Sequence, residues 1–309
     1  MIAREAEPNI RTLSARSPER ETGNNKIPRR KPVFPISAER ELARAFLSVA
    51  QDIRKISKPY IDRIAAVYGV WAEENVRMDA RFSLQDAAGE ILKEYGGDIV
   101  TSVDWDAVTG QVKRSSKVAQ RISIDDWKKL VDDALNYEID EPFYMETTED
   151  LITKWTYESV QSIKRYPQEY LGKIQEIIEW GYNTHQPLIN VYRRLEKATG
   201  DTRSHVRMLA RDLMGTLNYK MTRTEHESMG VSQYIWITKR DNRVRECHRT
   251  LDGHIFDWNN PPAQWYPTKS RGVVYTGEYC HPGQAYGCRC RAKPVFDAKK
   301  VEAIKGRMK

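Results

Sequence analysis

The feature that most constrains this chain is a change of rhythm at Gly230. Before it, apolar residues recur every three or four positions; after it, they fall in short runs rich in β-branched and aromatic residues. In "SAERELARAFLSVAQDIRKI", residues 37–56, Leu42, Phe46, Val49 and Ile53 share one helical face. Ser37 is a candidate N-cap, and Glu39 and Glu41 occupy the first turn. Pro59 is expected to kink or restart the helix, which "YIDRIAAVYGVW" continues. Further helices are predicted over about 72–95, 106–121, 124–136, 148–165, 168–182, 187–198 and 203–228. Asp125, Thr148 and Asp201 or Thr202 are candidate starts; Gly96, Gly200 and Gly230 are candidate stops.

Beyond Gly230, "VSQYIWIT" reads as a strand, "KRDNRVRE" as a polar turn and "GHIFDW" as a short strand. "NNPPAQWYPTKSRG" reads as a proline-rich loop, "VVYTG" as a strand and "CRCRAKPVF" as a final strand. The predicted fold class is therefore a mainly α N-terminal region plus a small α+β, loop-rich C-terminal domain. The expected division is a flexible basic arm over residues 1–34, a helical region over 35–199, a C-terminal domain over 200–296 and a basic tail over 297–309.

With 40% hydrophobic and 30% charged residues, the chain has an ordinary soluble composition. No run approaches the roughly 18 apolar residues of a membrane span. The first residues lack the apolar stretch of a secretory signal, so a cytoplasm with reduced thiols is expected. The formal charge of +7 permits a nucleic-acid partner without requiring one. Eight Lys and Arg against four Glu in residues 1–34, and eight against two acids in residues 289–309, mark both ends as candidate DNA contacts. Residues 125–150 carry ten acids against two lysines. That stretch is expected to be a solvated face, with a basic surface on another subunit as the alternative.

All four cysteines, Cys247, Cys280, Cys288 and Cys290, lie in the last quarter of the chain, with His248, His254 and His281. A small loop-rich unit has little core and often needs a staple. A reducing compartment disfavours a disulfide. A zinc ion takes four Cys or His ligands, but the paired C-x-x-C knuckle is missing here. On an extended strand Cys288 and Cys290 point the same way. Two readings stay open: a metal clamp, or small buried thiols beside hydrogen-bonded histidines.

Enzymatic readings rest on less. Arg223, Glu225 and His226 form a mixed acid–base set at a helix end, where simple surface pairing is the plainer reading. His248, Asp252 and His254 are the residues that a metal-dependent, DNA-processing nuclease would use. G-x-S-x-G, H-E-x-x-H, P-loop and G-x-G-x-x-G motifs are absent. No catalytic residue is assigned, and no enzymatic activity is expected. A zinc-stabilised nucleic-acid-binding module is a further alternative.

The order of short motifs adds to this. They are Ala210-Arg211-Asp212, Arg223, Gly230, Trp236, Asp241 to Arg245, His248, Leu251-Asp252-Gly253, Pro282-Gly283 and Cys288-Arg289-Cys290. In this order the chain, over about residues 200–296, resembles the C-terminal domain of the Mu F-like minor head proteins of tailed bacteriophages, the head morphogenesis family. The resemblance implies a low-copy component of the virion head. It would sit inside the head near the portal vertex, after assembly in the host cytoplasm. Its partners would be the portal protein, scaffold or major capsid protein, and packaged DNA. It implies no catalytic activity and no membrane.

His248, His281, Cys288 and Cys290 are the motif positions proposed to meet around a zinc ion, with Cys247 and Cys280 as alternates. Some relatives carry C-x-x-C where this chain has Cys247-His248-Arg249-Thr250, which leaves the ligand set open. Arg243, Arg245, Arg289 and Arg291 are candidates for phosphate or portal contact, or for ion pairs within the domain. Gly253 is expected to take a turn conformation that a Cβ disfavours, and Asp252 to hydrogen-bond its own turn.

Overall fold

A computed structural model describes residues 25–73, 77–139, 145–270 and 272–305. Residues 1–24 of the expected arm, 140–144 of the acidic stretch and 306–309 of the tail lie outside the described residues. The elements run β1 (Asn25–Lys26), α1 (Ile36–Trp71), α2 (Met78–Thr101), α3 (Trp105–Leu135), α4 (Met145–Lys164), α5 (Tyr166–Asn183) and α6 (Leu188–Ser228). They continue with β2 (Gln233–Ile237), α7 (Glu246–Leu251), β3 (Ile255–Asp257), β4 (Ala263–Thr268), β5 (Gly272–Tyr279), β6 (Arg291–Asp297) and α8 (Ala298–Lys305). The helical N-terminal region and the small sheet-bearing C-terminal region are as expected. The chain clusters into two compact units that are not simple sequence halves. One joins residues up to Ile36, Lys117–Ile152 and Met214 onward; the other joins Ser37–Ser116 and Thr153–Leu213.

The second unit is all helix. In α1, Leu42, Phe46, Val49 and Ile53 are buried at the predicted spacing. Pro59 does not end this helix. Pro59 and Lys55, whose carbonyl loses its donor, are both exposed, so the missing bond faces solvent. α2 begins at Met78, later than predicted, and runs past Gly96 to Thr101. Buried Tyr95 and Ile99, four residues apart, hold its last turns. Likewise α3 and α6 are single helices where breaks near residue 122 and Gly200 were expected. A glycine costs a helix about 1 kcal/mol. The buried stripe of Val191, Leu195, Val206 and Ala210 outweighs it. Arg211 of the "ARD" stretch pairs with Glu39 at 3.3 Å.

The first unit holds the sheets. α6 ends at Gly230, which has φ 63°. The Val231 N–H donates to His226 O (2.8 Å) and the Gly230 N–H to Glu227 O (3.0 Å), the paired bonds of a glycine-terminated helix. The four-stranded antiparallel sheet has the order β1-β6-β2-β3. β2 is buried on both faces. Tyr234 and Trp236 pack with Tyr219, Trp258, Cys288, Cys290 and Ala292, while Ile235 and Ile237 pack with Ile255, Val295 and Ile27. This explains why "QYIWI" is a nearly unbroken apolar run. β4 and β5 form a separate hairpin, so the expected proline-rich loop is half strand. Val273, Tyr275 and Tyr279 of that hairpin are exposed.

Two expectations are corrected here. Residues 25–34 are not a flexible arm. β1 pairs with β6 (Asn25 opposite Asp297, Lys26 opposite Phe296), and Pro28 and Pro32 are buried. The acidic stretch is not wholly solvated either. Asp126 is buried and accepts the Val33 N–H at 2.7 Å; Asp133 accepts the Arg30 N–H at 2.8 Å. That bond, with Arg29 beside it, holds the Asp133 carboxyl below its ordinary range. So these acids meet this chain's own basic segment.

Candidate metal centre

The sequence marks no helix over α7; its polar turn, "KRDNRVRE", ends at Glu246, where α7 begins. Six residues give too little periodicity to show a helix, yet this turn of helix aims His248 inward. The ring is buried and meets the edge of Trp236, with centroids 5.1 Å apart. His248 Nε2 lies 2.9 Å from Gln264 Oε1. Gln264 in turn donates its amide to Pro262 O at 3.1 Å, which fixes the oxygen toward the ring. An amide oxygen only accepts, so the proton sits on Nε2 and Nδ1 is turned the other way. There it meets Cys288 Sγ at 3.6 Å and Cys290 Sγ at 3.5 Å. The ligand atoms of His248, Cys288 and Cys290 all lie within 4.8 Å of one another, and all three residues are buried.

The two cysteines precede β6 rather than lying on it, so alternation along a strand does not bring them together. A local turn does: the Cys290 N–H donates to Cys288 Sγ at 3.4 Å. The neighbouring Cys290 thiol holds the Cys288 thiol well below the usual range, with His248 adding to the effect against burial. Cys288 and burial push the Cys290 thiol up. Burial opposes the charged form of His248, but the thiols of Cys247 and Cys288 outweigh it and push the ring up to about 9. Cys247 is buried, with its Sγ 3.8 Å from Gln264 Oε1. Cys280 is half-buried, and burial pushes its thiol up.

His281 stands outside this group. Its Nδ1 meets the Tyr234 hydroxyl at 2.8 Å, and its ring stacks on Tyr219 at 5.9 Å. Burial, with Arg223 nearby, pushes it down to about 4, so it is a neutral core histidine.

The arginine candidates divide. Arg289 grips both Asp241 oxygens at 2.7 Å, and this pair joins two of the motif segments. Arg291 is half-buried and donates to Pro32 O. Arg245 donates to Tyr286 O, and Arg243 is exposed. Asp252 bonds more distant partners than its own turn. Its carboxylate accepts the Thr238 N–H and the Arg240 Nε, both at 2.8 Å.

Gly253 has φ 84°, as the turn reading expected. Gly283 has φ 92° and a second constraint, since an added Cβ would lie 3.0 Å from Gly215 O and 3.1 Å from Tyr219 Cβ. Gly283→Ala is therefore expected to cost about 2 kcal/mol, from backbone strain plus the clash, measured by urea unfolding. Gly253→Ala, with nothing within 4 Å of the added atom, is expected to cost less.

The motif order and the pairing of Arg289 with Asp241 invite comparison with known proteins. Residues 173–293 match the family model described as Phage Mu protein F like protein. The Mu F-like region starts within α5, one helix earlier than the motifs indicated. An uncharacterized protein of Haemophilus influenzae is 30% identical over 139 residues, which is 45% of this chain and 28% of that protein. An uncharacterized protein of Methanocaldococcus jannaschii is 28% identical over 153 residues, 49% of this chain and 21% of that protein. The chain thus spans less than a third of either relative's length. No solved structure matches. The family match supports a phage head-related protein.

The sequence reading missed Gln264, hidden in a segment read as loop, and Gly215, which lets α6 approach the Cys288 backbone (3.1 Å from a built Cβ). Neither residue carries a signal in a single sequence.

Proposed function

We propose that this chain is a minor head protein of a tailed bacteriophage, associated with the portal vertex, and that it works by binding in head morphogenesis. The observation that carries this is the Mu F-like match over residues 173–293. The geometry of the matched residues supports binding over catalysis. Asp241, Asp252, Arg289, Gly253 and Gly283 all serve the domain's own architecture. A nuclease would need Asp252 beside His248, but this carboxylate is engaged by Thr238 and Arg240. Portal, scaffold or major capsid protein and packaged DNA are the partners this role requires. The exposed Arg243 and the basic chain ends are the DNA-facing candidates; Arg289 and Arg291 are committed to internal contacts.

The test is location. Mass spectrometry and cryo-microscopy of purified procapsids and filled heads should find the chain in both, near the portal. Its absence from both would overturn the proposal. DNA contact is tested separately by retention on immobilised DNA, which should weaken steeply as salt rises. Retention indifferent to ionic strength would remove DNA from the partners.

A further inference from the structure

We infer that the Mu F-like region binds one zinc ion through His248 Nδ1, Cys288 Sγ and Cys290 Sγ. This inference is independent of the head assignment.

The first argument is distance. With Zn–N of about 2.0–2.1 Å and Zn–S of about 2.3 Å, tetrahedral angles place ligand nitrogen and sulfur roughly 3.6 Å apart. The two observed separations are 3.6 and 3.5 Å. The second argument is valence. Nδ1 can make one hydrogen bond, yet two sulfurs converge on it at 3.6 and 3.5 Å. One of these sulfurs would satisfy the ring, so hydrogen bonding to Nδ1 does not require the second there. An ion between the three atoms satisfies all of them.

The third argument is the supporting shell. A zinc-bound histidine usually donates its other N–H to a fixed acceptor, and the Nε2–Gln264–Pro262 chain is such an arrangement. Thiolate sulfurs are stabilised by backbone donors. Here the Cys290 N–H points at Cys288 Sγ. The donor chemistry decides the metal class. Thiolate and imidazole select zinc over magnesium or calcium, which take oxygen.

The centre also has a structural task. His248 on α7 and the cysteines before β6 lie 40 and 42 residues apart, and the segment between them contains the β4–β5 hairpin. A lone two-stranded hairpin is marginal in water. This one is fixed at its base by Gln264 and by the Cys280 N–H bond to Pro262 O (3.2 Å). An ion at His248 ties that base to the main sheet.

The experiment uses the full chain, purified in reductant. Elemental analysis should find one zinc per chain. Cobalt exchanged for zinc should give thiolate-to-cobalt charge-transfer absorption. His248→Ala, Cys288→Ser and Cys290→Ser should each lose stoichiometric metal. Gln264→Ala keeps every ligand and should fold, with zinc affinity about 10–100-fold weaker in competition with a chelator. A folded wild-type chain that contains no zinc and takes up neither added zinc nor cobalt would overturn the inference.

Discussion

Trp236→Ala is expected to cost about 3–5 kcal/mol, the range for deleting a fully buried large aromatic. Trp236 lies in the middle of β2, opposite Ala292 of β6, and is 0% exposed. Its ring packs against His248 and Phe256, with centroids 5.1 and 6.0 Å away. The backbone ladder survives the change, because the Trp236 N–H bonds His254 O and the Trp236 O accepts the Gly253 N–H. The loss is therefore packing and cavity, not hydrogen bonding. A domain's whole stability is about 5–15 kcal/mol, so the variant should lose a large share of it. Trp236→Phe retains an aromatic ring and should lose clearly less. Urea unfolding followed by circular dichroism measures both. A loss below about 1 kcal/mol for Trp236→Ala would show that the sheet repacks without the indole.

The second large effect is with acid. His226 is fully buried, with its ring against Trp127 and Trp258. Trp258 Nε1 donates to its Nδ1 at 3.1 Å, so the ring's own proton is on Nε2, which has no hydrogen-bond partner among the described residues. Protonating Nδ1 would set two donors against each other and bury a charge, and burial pushes this histidine down to about 3. The unfolded chain takes up this proton near pH 6.5, its ordinary value; the folded chain resists until about pH 3. The stability that the neutral His226 contributes is therefore full above about pH 6.5 and is lost as pH falls through that window, by on the order of 5 kcal/mol.

The neighbouring Glu225 acts in the opposite sense. Burial and the nearby Asp126 raise its carboxyl well above the ordinary value, against the Ser123 hydroxyl that donates to it at 2.6 Å. Its folded state favours the proton, so its contribution is largest below its ordinary value and falls as pH rises above it. His226→Phe should flatten the acid slope of urea-derived stability between pH 6.5 and 4 and leave the Glu225 slope in place. An unchanged acid slope in that variant would rule out His226 as the cause.

Glu225 and His226 also show what a sequence can and cannot carry. Read in line, Arg223, Glu225 and His226 looked like a surface ion-pair set. In the fold, Arg223 bonds Glu227 at 2.7 Å while Glu225 and His226 point into the core. The helical period was right, but which face is buried depends on what packs against it. The opening residues repeat the lesson. "NKIPRRKP" is polar enough to read as a free arm, yet β6 and α3 supply a strand edge and two carboxylates that hold it.

By itself the sequence determined the helical body, the switch at Gly230, the buried run of β2 and the motif order that matches the Mu F-like family. These are local or periodic features: 3.6-residue repeats, a glycine that accepts positive φ, and β-branched runs. Only the tertiary structure decided the ligand geometry. Three of the four proposed metal positions come together and His281 does not, because Tyr234 and Tyr219 claim its ring. It also decided that Arg289 serves Asp241, 48 residues away, and that Asp252 serves Thr238 rather than its own turn. Such pairings depend on how strands and loops distant in sequence are brought together, and a composition or a spacing holds no record of that.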